Sequence, residues 1–364
     1  MNVVQRTLQG FRERKRRVVE GGVNCIPSPF QIFRNDYPGV EQGKYYLISG
    51  AAKSAKTQIA SSLFVYEPLL YAYEHPDQVR VKLFYFPLEE TPEKITARFC
   101  SHLLYRFSNH RIRVSPMVLN STNENNTAPD EVLDILDTID YQSILNFYMD
   151  HVEFINQRNP TGCWKVILKY AQEHGKIVTK EAIIGGEKKN LFDHYEPNDP
   201  NEYVIILWDH AGLTELERGW NLKQCIDKLS EYFIDFRDKF HYTPVLVQQQ
   251  NIDTISLDAF KQKKIMPTLA GLADTKNTGK DASVMLGITN PHAFEIDDYR
   301  GYDTKKLGGY GRFLEVVLNR EGESNGYLPL YFDGAVNFFS PLPKPNELSK
   351  LNQVYQLIDH NMRS

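Results

Sequence analysis

The segment Tyr45–Phe64, YYLISGAAKSAKTQIASSLF, constrains the fold of this chain more than any other. An apolar run stops at Gly50, a loop of Ala51, Ala52, Lys53, Ser54 and Ala55 follows, and Lys56-Thr57 opens a stretch with helical spacing. Strand, tight loop and helix make the first half of a parallel βα unit, which needs further strands beside it and helices on both faces. The loop is one residue away from G-x-x-x-x-G-K-[ST]. In that pattern consecutive backbone N–H groups wrap phosphates at a helix N-terminus, the lysine adds charge and the hydroxyl ligates magnesium. Ala55 stands where the pattern has glycine. If the position takes a positive φ, alanine costs about 1 kcal/mol or more; if it only needs a small side chain, alanine passes. The candidate phosphate-binding residues are Gly50, Ala52, Lys53, Ser54, Ala55, Lys56 and Thr57, with Thr57 also a candidate magnesium ligand. The bland alternative is an alanine-rich strand-to-helix turn.

The rest of the chain supplies the alternation this unit demands. KTQIASSLFVYEPLLYAYEH reads as a helix despite Pro68, VRVKLFYFPL as a strand, and TPEKITARFCSHLLYRF as a helix with Thr91 at the N-cap and Pro92 at N1. Residues 108–200 are less regular. A polar loop there precedes helices near 129–157 and 160–175, and a charged, glycine-containing stretch follows. YVIILWDH is the most apolar strand, LKQCIDKLSEYFIDFRDKF a strong amphipathic helix, and TPVLVQQQ another strand. Four short runs, ASVMLGIT, RFLEVVLNR, YLPLYF and AVNFFS, are expected to extend the sheet antiparallel. The fold class is therefore α/β, with a mostly parallel sheet covered by helices on both faces and antiparallel C-terminal strands.

Three strand ends carry further chemistry. Asp209 closes YVIILWDH, where an aspartate can orient magnesium, although buried strands also end in Asp for turn reasons. LFYFPLEET delivers Glu89 and Glu90 to the edge where α/β sheets place ligands. Glu89 is the candidate base for a water attacking a γ-phosphate, and Glu90 suits the dipole of the next helix. Gln249, ending TPVLVQQQ, can hydrogen-bond a γ-phosphate; the alternative is a polar strand end.

A net charge of −4 over 364 residues leaves any nucleic-acid affinity to local patches. Cys25, Cys100, Cys163 and Cys225 are widely separated, which reads as reduced thiols without a disulfide framework or zinc site, in a cytoplasmic compartment. The basic N-terminus has no apolar core and no run approaches about eighteen apolar residues, so neither secretion nor membrane spanning is expected. Residues 1–20 instead form a basic amphipathic helix. Val4, Leu8, Phe11 and Val18 or Val19 recur at helical spacings, and Gly21-Gly22 closes it. This is either a solvated helix or a linker that docks on a neighbouring subunit.

These elements, in this order, resemble the RecA-like ATPase domain of DnaB-type hexameric replicative helicases. That family's core has a P-loop, a strand ending in Leu-Glu with the catalytic glutamate, a strand with the magnesium aspartate and a strand ending in a sensor glutamine. Gly50–Thr57, Leu88-Glu89, Asp209 and Gln249 look like these. MPTLAGLADTKNTGKDASVMLGI is similar to the family's Pro-x-Leu-x-x-Leu…Asp-Ala-Asp stretch, with Ser283 replacing the last acid. FLEVVLNREGESNGYLPLYFD resembles the strand–turn–strand that bears the arginine finger, which makes Arg320 the residue carried over. The resemblance spans roughly residues 20–340 and implies ATP, Mg2+, single-stranded DNA, a homo-oligomeric ring that is a hexamer in the family, and replication partner proteins. It casts residues 1–22 as the linker helix, 23–342 as the ATPase domain and 343–364 as a C-terminal tail helix. The departures are Ala55, Leu318 where a lysine precedes the finger, and Ala273 where the family has an arginine. The family's N-terminal helical domain has no counterpart in this sequence, which suggests a stripped-down phage or mobile-element protein.

DNA contact in such a ring is expected from Lys261, Lys263, Lys264, Lys276 and Lys280, after the sensor strand. Two functions follow: an ATP-hydrolysing helicase that translocates on single-stranded DNA, or an ATP-binding ring or helicase-loading or recombination partner with little hydrolysis.

Overall fold

The computed structural model describes residues 3–185, 187–251, 257–324 and 326–363. In chain order the strands of three or more described residues are β1 (Tyr46–Gly50), β2 (Arg80–Pro87), β3 (Val152–Phe154), β4 (Gly175–Ile184), β5 (Glu187–Pro197), β6 (Glu202–Asp209), β7 (Thr243–Gln249), β8 (Val284–Thr289), β9 (Gly311–Asn319), β10 (Tyr327–Asp333) and β11 (Phe338–Pro341). All but β4 and β5 join one nine-stranded sheet in the order β11-β10-β9-β8-β1-β7-β6-β2-β3. From β8 to β3 every neighbouring pair is parallel, and β9, β10 and β11 add on antiparallel. The C-terminal strands therefore extend the sheet as expected, except that β8, grouped with them in the sequence, runs parallel to β1.

Side-chain alternation explains why the sheet is buried on both faces. Tyr46 and Ile48 of β1, Ile205 and Leu207 of β6, and Val245 and Val247 of β7 join one apolar cluster. Leu47, Ile206, Trp208 and Leu246 point the other way into a second. Helices α2 (Lys56–Ser61), α3 (Glu67–Glu74), α4 (Pro92–Phe107) and α6 (Ile139–His151) cover the first face, α5 (Asp130–Leu136) preceding α6. Helices α7 (Pro160–Glu173) and α8 (Leu222–Phe240) cover the second, where Trp164 stacks on Phe236. A third cluster lies under the last helix, α9 (Leu348–Arg363), built on Leu351 and Ile358.

Local surprises have local causes. The helix expected to run through Pro68 does so by inserting a π-helical turn, Ser62–Tyr66, so that proline falls near the start of α3, where its missing N–H matters least. Residues 108–200, expected as irregular and helical, also contain the edge strand β3 within the stretch assigned to a helix near 129–157. The charged, glycine-containing stretch is a ribbon, β4 paired antiparallel with β5, outside the main sheet. Its few apolar residues, among them Ile177, Val178, Leu191 and Phe192, fall on both faces among charged ones, so it carries no hydrophobic period to signal a strand. The N-terminal helix α1 (Val3–Val19) forms where expected. Its Arg14 faces Glu41 of the body at 3.5 Å, while Val4, Leu8, Phe11, Val18 and Val19 are exposed. No helix among the described residues is long and apolar enough to cross a membrane.

Candidate nucleotide site

Register brings the strand ends level. Gly50 lies opposite Gln249, and Asp209 opposite both Pro87 and Val247. The loops leaving β1, β2, β6 and β7 thus converge at one edge, the carboxyl ends of parallel strands. A cavity of about 350 Å³ opens there, lined among others by Lys53, Lys56, Thr57, Glu89, His210 and Gln249.

The phosphate-loop candidate has the backbone that such a loop needs. Ala55 is the N-cap of α2 at φ 75 and ψ 35, so this position does take the left-handed conformation. The substitution costs about 1 kcal/mol relative to glycine. Lys53 also has a positive φ, of 59. Gly50 is required by contact instead: a Cβ there would collide with Ser54 Oγ and lie 2.5 Å from the Ile288 carbonyl oxygen. Lys56 folds over the loop and donates from Nζ to the Ala51 carbonyl at 2.9 Å. Burial lowers its pKa, with Asp209 and Glu89 acting in the opposite sense.

Asp209 is buried. Its Oδ1 accepts from the Thr57 hydroxyl at 3.1 Å and its Oδ2 from the Tyr85 hydroxyl at 3.3 Å. Burial pushes its carboxyl up to about 7, and the neighbouring Glu89 and Glu90 add to the rise. A buried carboxylate beside a threonine hydroxyl at a helix start is a donor set suited to a hard divalent cation, whose charge would act against the rise that burial causes. Glu90 is taken up by Arg98 of α4 at 2.5 Å, whereas Glu89 is half-exposed with Oε2 3.8 Å from His210 Nε2.

The triple glutamine divides by alternation. Gln248 donates to the carbonyls of Ala273 and Thr275 and accepts from Thr278. Gln250 bonds Ser49 and both the N–H and carbonyl of Thr268. Both are held by the protein, and Gln249 is left facing the cavity.

The structure therefore gathers the residues of 50–57 with Glu89, Asp209 and Gln249. Arg320 is elsewhere. It follows β9, where Asn319 pairs with Val284 at the start of β8, so it lies at the opposite edge of the sheet. There its guanidinium donates to the carbonyls of Ala282 and Lys280. Leu318 packs against the second apolar cluster. The five lysines are all exposed but not one group. Lys263 and Lys264 line a surface cavity with Tyr299 and Arg300, and Lys263 pairs with Asp298 at 2.9 Å. Lys261 ends a short helix, Leu257–Lys261, while Lys276 and Lys280 belong to the separate turn around Asn277–Asp281.

Sequence reasoning missed two residues here. His210 follows Asp209 directly, so its adjacency was a usable signal. Arg158, in the loop after β3, donates from Nη2 to the Leu88 carbonyl at 2.5 Å. The Leu88 N–H donates to the Asp209 carbonyl at 2.9 Å, so the peptide groups leading to Glu89 are held at both ends. No local pattern marked Arg158.

The strand order, level strand ends and phosphate-loop backbone define a RecA-like α/β core. Among solved structures, the ATPase domain of a DnaB-like helicase superposes with a TM-score of 0.64 at 12% identity, covering 94% of this chain and 100% of that one. A DnaB-like replicative helicase, described with its interactions with primase, gives 0.59 at 12% identity, covering 93% of this chain and 66% of that one. The chain thus has the fold of DnaB-type helicase ATPase domains, and it spans just under two thirds of the second relative. No protein-family model matches the sequence, and no curated protein matches it significantly.

Proposed function

We propose that this protein is an ATP hydrolase that uses Mg2+-ATP to move along single-stranded DNA as a helicase, acting as a homo-oligomeric ring. The observation that carries this reading is the convergence of the 50–57 loop, Glu89 and Gln249 on one cavity, with Asp209 buried behind it and bonded to Thr57 of its lining. In it the loop N–H groups and Lys56 hold the phosphates, Thr57 and Asp209 hold the cation, and Gln249 reads the terminal phosphate. Glu89 takes the proton of the attacking water. Magnesium, when bound, supplies charge stabilisation on the phosphoryl oxygens.

The ring rests on two features. Arg320 lies at the opposite edge of the sheet from its own chain's cavity, so the neighbour's cavity is its proposed target, and a hexamer is the family's arrangement. The exposed apolar stripe of α1 offers a second copy a surface to cover. Lys261, Lys263, Lys264, Lys276 and Lys280 are the proposed DNA contacts, and replication proteins are the proposed partners.

Steady-state ATP hydrolysis with and without single-stranded DNA tests the reading. DNA-stimulated turnover that disappears in Lys56→Ala is expected. Measurable ATP binding with no turnover would replace it by the second reading, a ring that binds ATP without using it. The left-handed Ala55 is the feature that favours that alternative.

A further inference from the structure

Arg312, in β9, is a guanidinium in an interior position, 6% exposed. It donates from Nε to the Ser54 carbonyl at 3.1 Å, and from Nη1 to the carbonyls of Gly309 at 2.8 Å and Gly311 at 2.7 Å. Its Cζ lies 4.9 Å from the centre of the Phe332 ring. Among the described residues no carboxylate pairs with it, and burial lowers its pKa to about 10. A buried cation held by carbonyl dipoles is costly, because nothing cancels its charge. It persists where the surrounding structure uses it.

The carbonyl it grips is the one preceding Ala55. A peptide group is planar, so fixing the Ser54 oxygen also fixes the Ala55 N–H on the opposite side. Rotation of that peptide would let Ala55 leave its left-handed conformation, but it would take the acceptor away from Nε and strand a buried donor. The bond is charge-assisted, and so stronger than a neutral one. In a glycine-bearing loop no such restraint is needed, since glycine enters the left-handed region freely.

We propose that Arg312 is a positioning residue of the phosphate loop: by clamping the Ser54–Ala55 peptide from behind, it lets alanine serve where the loop pattern has glycine. The uncancelled guanidinium also adds positive potential behind a loop that receives an anion. This rests on the reading of residues 50–57 as a phosphate site, but on no assumption about hydrolysis, DNA or oligomers.

A double-mutant cycle of Arg312→Gln with Ala55→Gly tests the clamp, with binding of a fluorescent ADP derivative in the presence of Mg2+ as the first readout. Arg312→Gln is expected to weaken binding on the order of tenfold. Adding Ala55→Gly should recover most of that loss, because glycine holds the loop shape unaided. Arg312→Lys, which keeps the charge and a smaller reach, should fall between, and it serves if the glutamine variant folds poorly. Equal losses in the alanine and glycine backgrounds, or no loss in either, would overturn the proposal. The second readout is thermal melting without nucleotide: Ala55→Gly should raise the melting temperature more in the parent than in Arg312→Gln, where the loop has already relaxed. Equal shifts would also overturn it. A parent that binds no ADP would count against the phosphate-site reading, while the melting cycle would still decide the clamp.

Discussion

The Thr57 hydroxyl donates to Asp209 Oδ1 at 3.1 Å, joining the first turn of the loop helix to the end of β6. The two residues are 152 positions apart in the chain. Their contact is the point at which the two halves of the site meet, and most of what can be tested about it follows from the state of that carboxyl.

Asp209 titrates at about 7 because it is buried. A carboxyl whose folded pKa is raised stabilises the fold while protonated; the contribution is complete below about pH 4 and is lost as pH rises through about 7. A cation needs the deprotonated form. Affinity for the magnesium–nucleotide complex should therefore climb between about pH 5.5 and 7 and then level off. In Asp209→Asn the magnesium-dependent part of the affinity should vanish, and the melting temperature should lose its Asp209-dependent fall between about pH 4 and 7. Calorimetric titrations at several pH values, with melting curves alongside, check both.

Glu89 lines the cavity with the phosphate loop, half-exposed and with Oε2 3.8 Å from His210 Nε2. Glu89→Gln should reduce ATP turnover by about a hundredfold or more while leaving nucleotide affinity within a few-fold of the parent. Single-turnover hydrolysis paired with equilibrium binding separates these two quantities.

Arg158 acts on Glu89 through the backbone, by holding the Leu88 carbonyl. Arg158→Met should lower kcat about tenfold with little change in nucleotide affinity, because it loosens the aim of the carboxylate and leaves the phosphate loop alone. Arg158→Lys should restore part of the rate. A loss confined to KM would point away from positioning.

The stripe on α1 is the cheapest handle on assembly. Phe11 is 63% exposed on the single chain, so Phe11→Glu should leave the folded chain intact and shift native mass from oligomer to monomer. Under the ring reading, Lys56→Ala and Arg320→Ala subunits mixed together should hydrolyse more ATP than either alone, since each supplies what the other's shared site lacks.

Much of this could be read from the chain because it was written in short-range pattern. The apolar runs 46–50, 203–208 and 245–247 had to be interior strands, and their polar ends had to meet at one edge. Whether Ala55 was strained could not be read, since that depends on a dihedral angle rather than on composition. The ribbon β4–β5 was illegible for a related reason: it buries too little on either face to impose a period. Arg158 and Arg312 act through backbone carbonyls distant in sequence, and only three-dimensional proximity reveals them. Arg312 did leave one trace, a charge at the head of the apolar strand RFLEVV, where an inward-facing arginine calls for an explanation.

Strands β4 and β5, of 10 and 11 residues, pair with each other and, among the described residues, with no strand of the main sheet. Near its base Tyr195 packs against Phe240 and bonds Tyr242, so the body holds the ribbon by its root. To the nine-stranded sheet the whole excursion is one closed detour between α7 and β6. Its outer half can be lengthened, trimmed or exchanged without altering the register of any strand that carries the cavity, which makes it the place where this chain can acquire a new accessory at little cost to its engine.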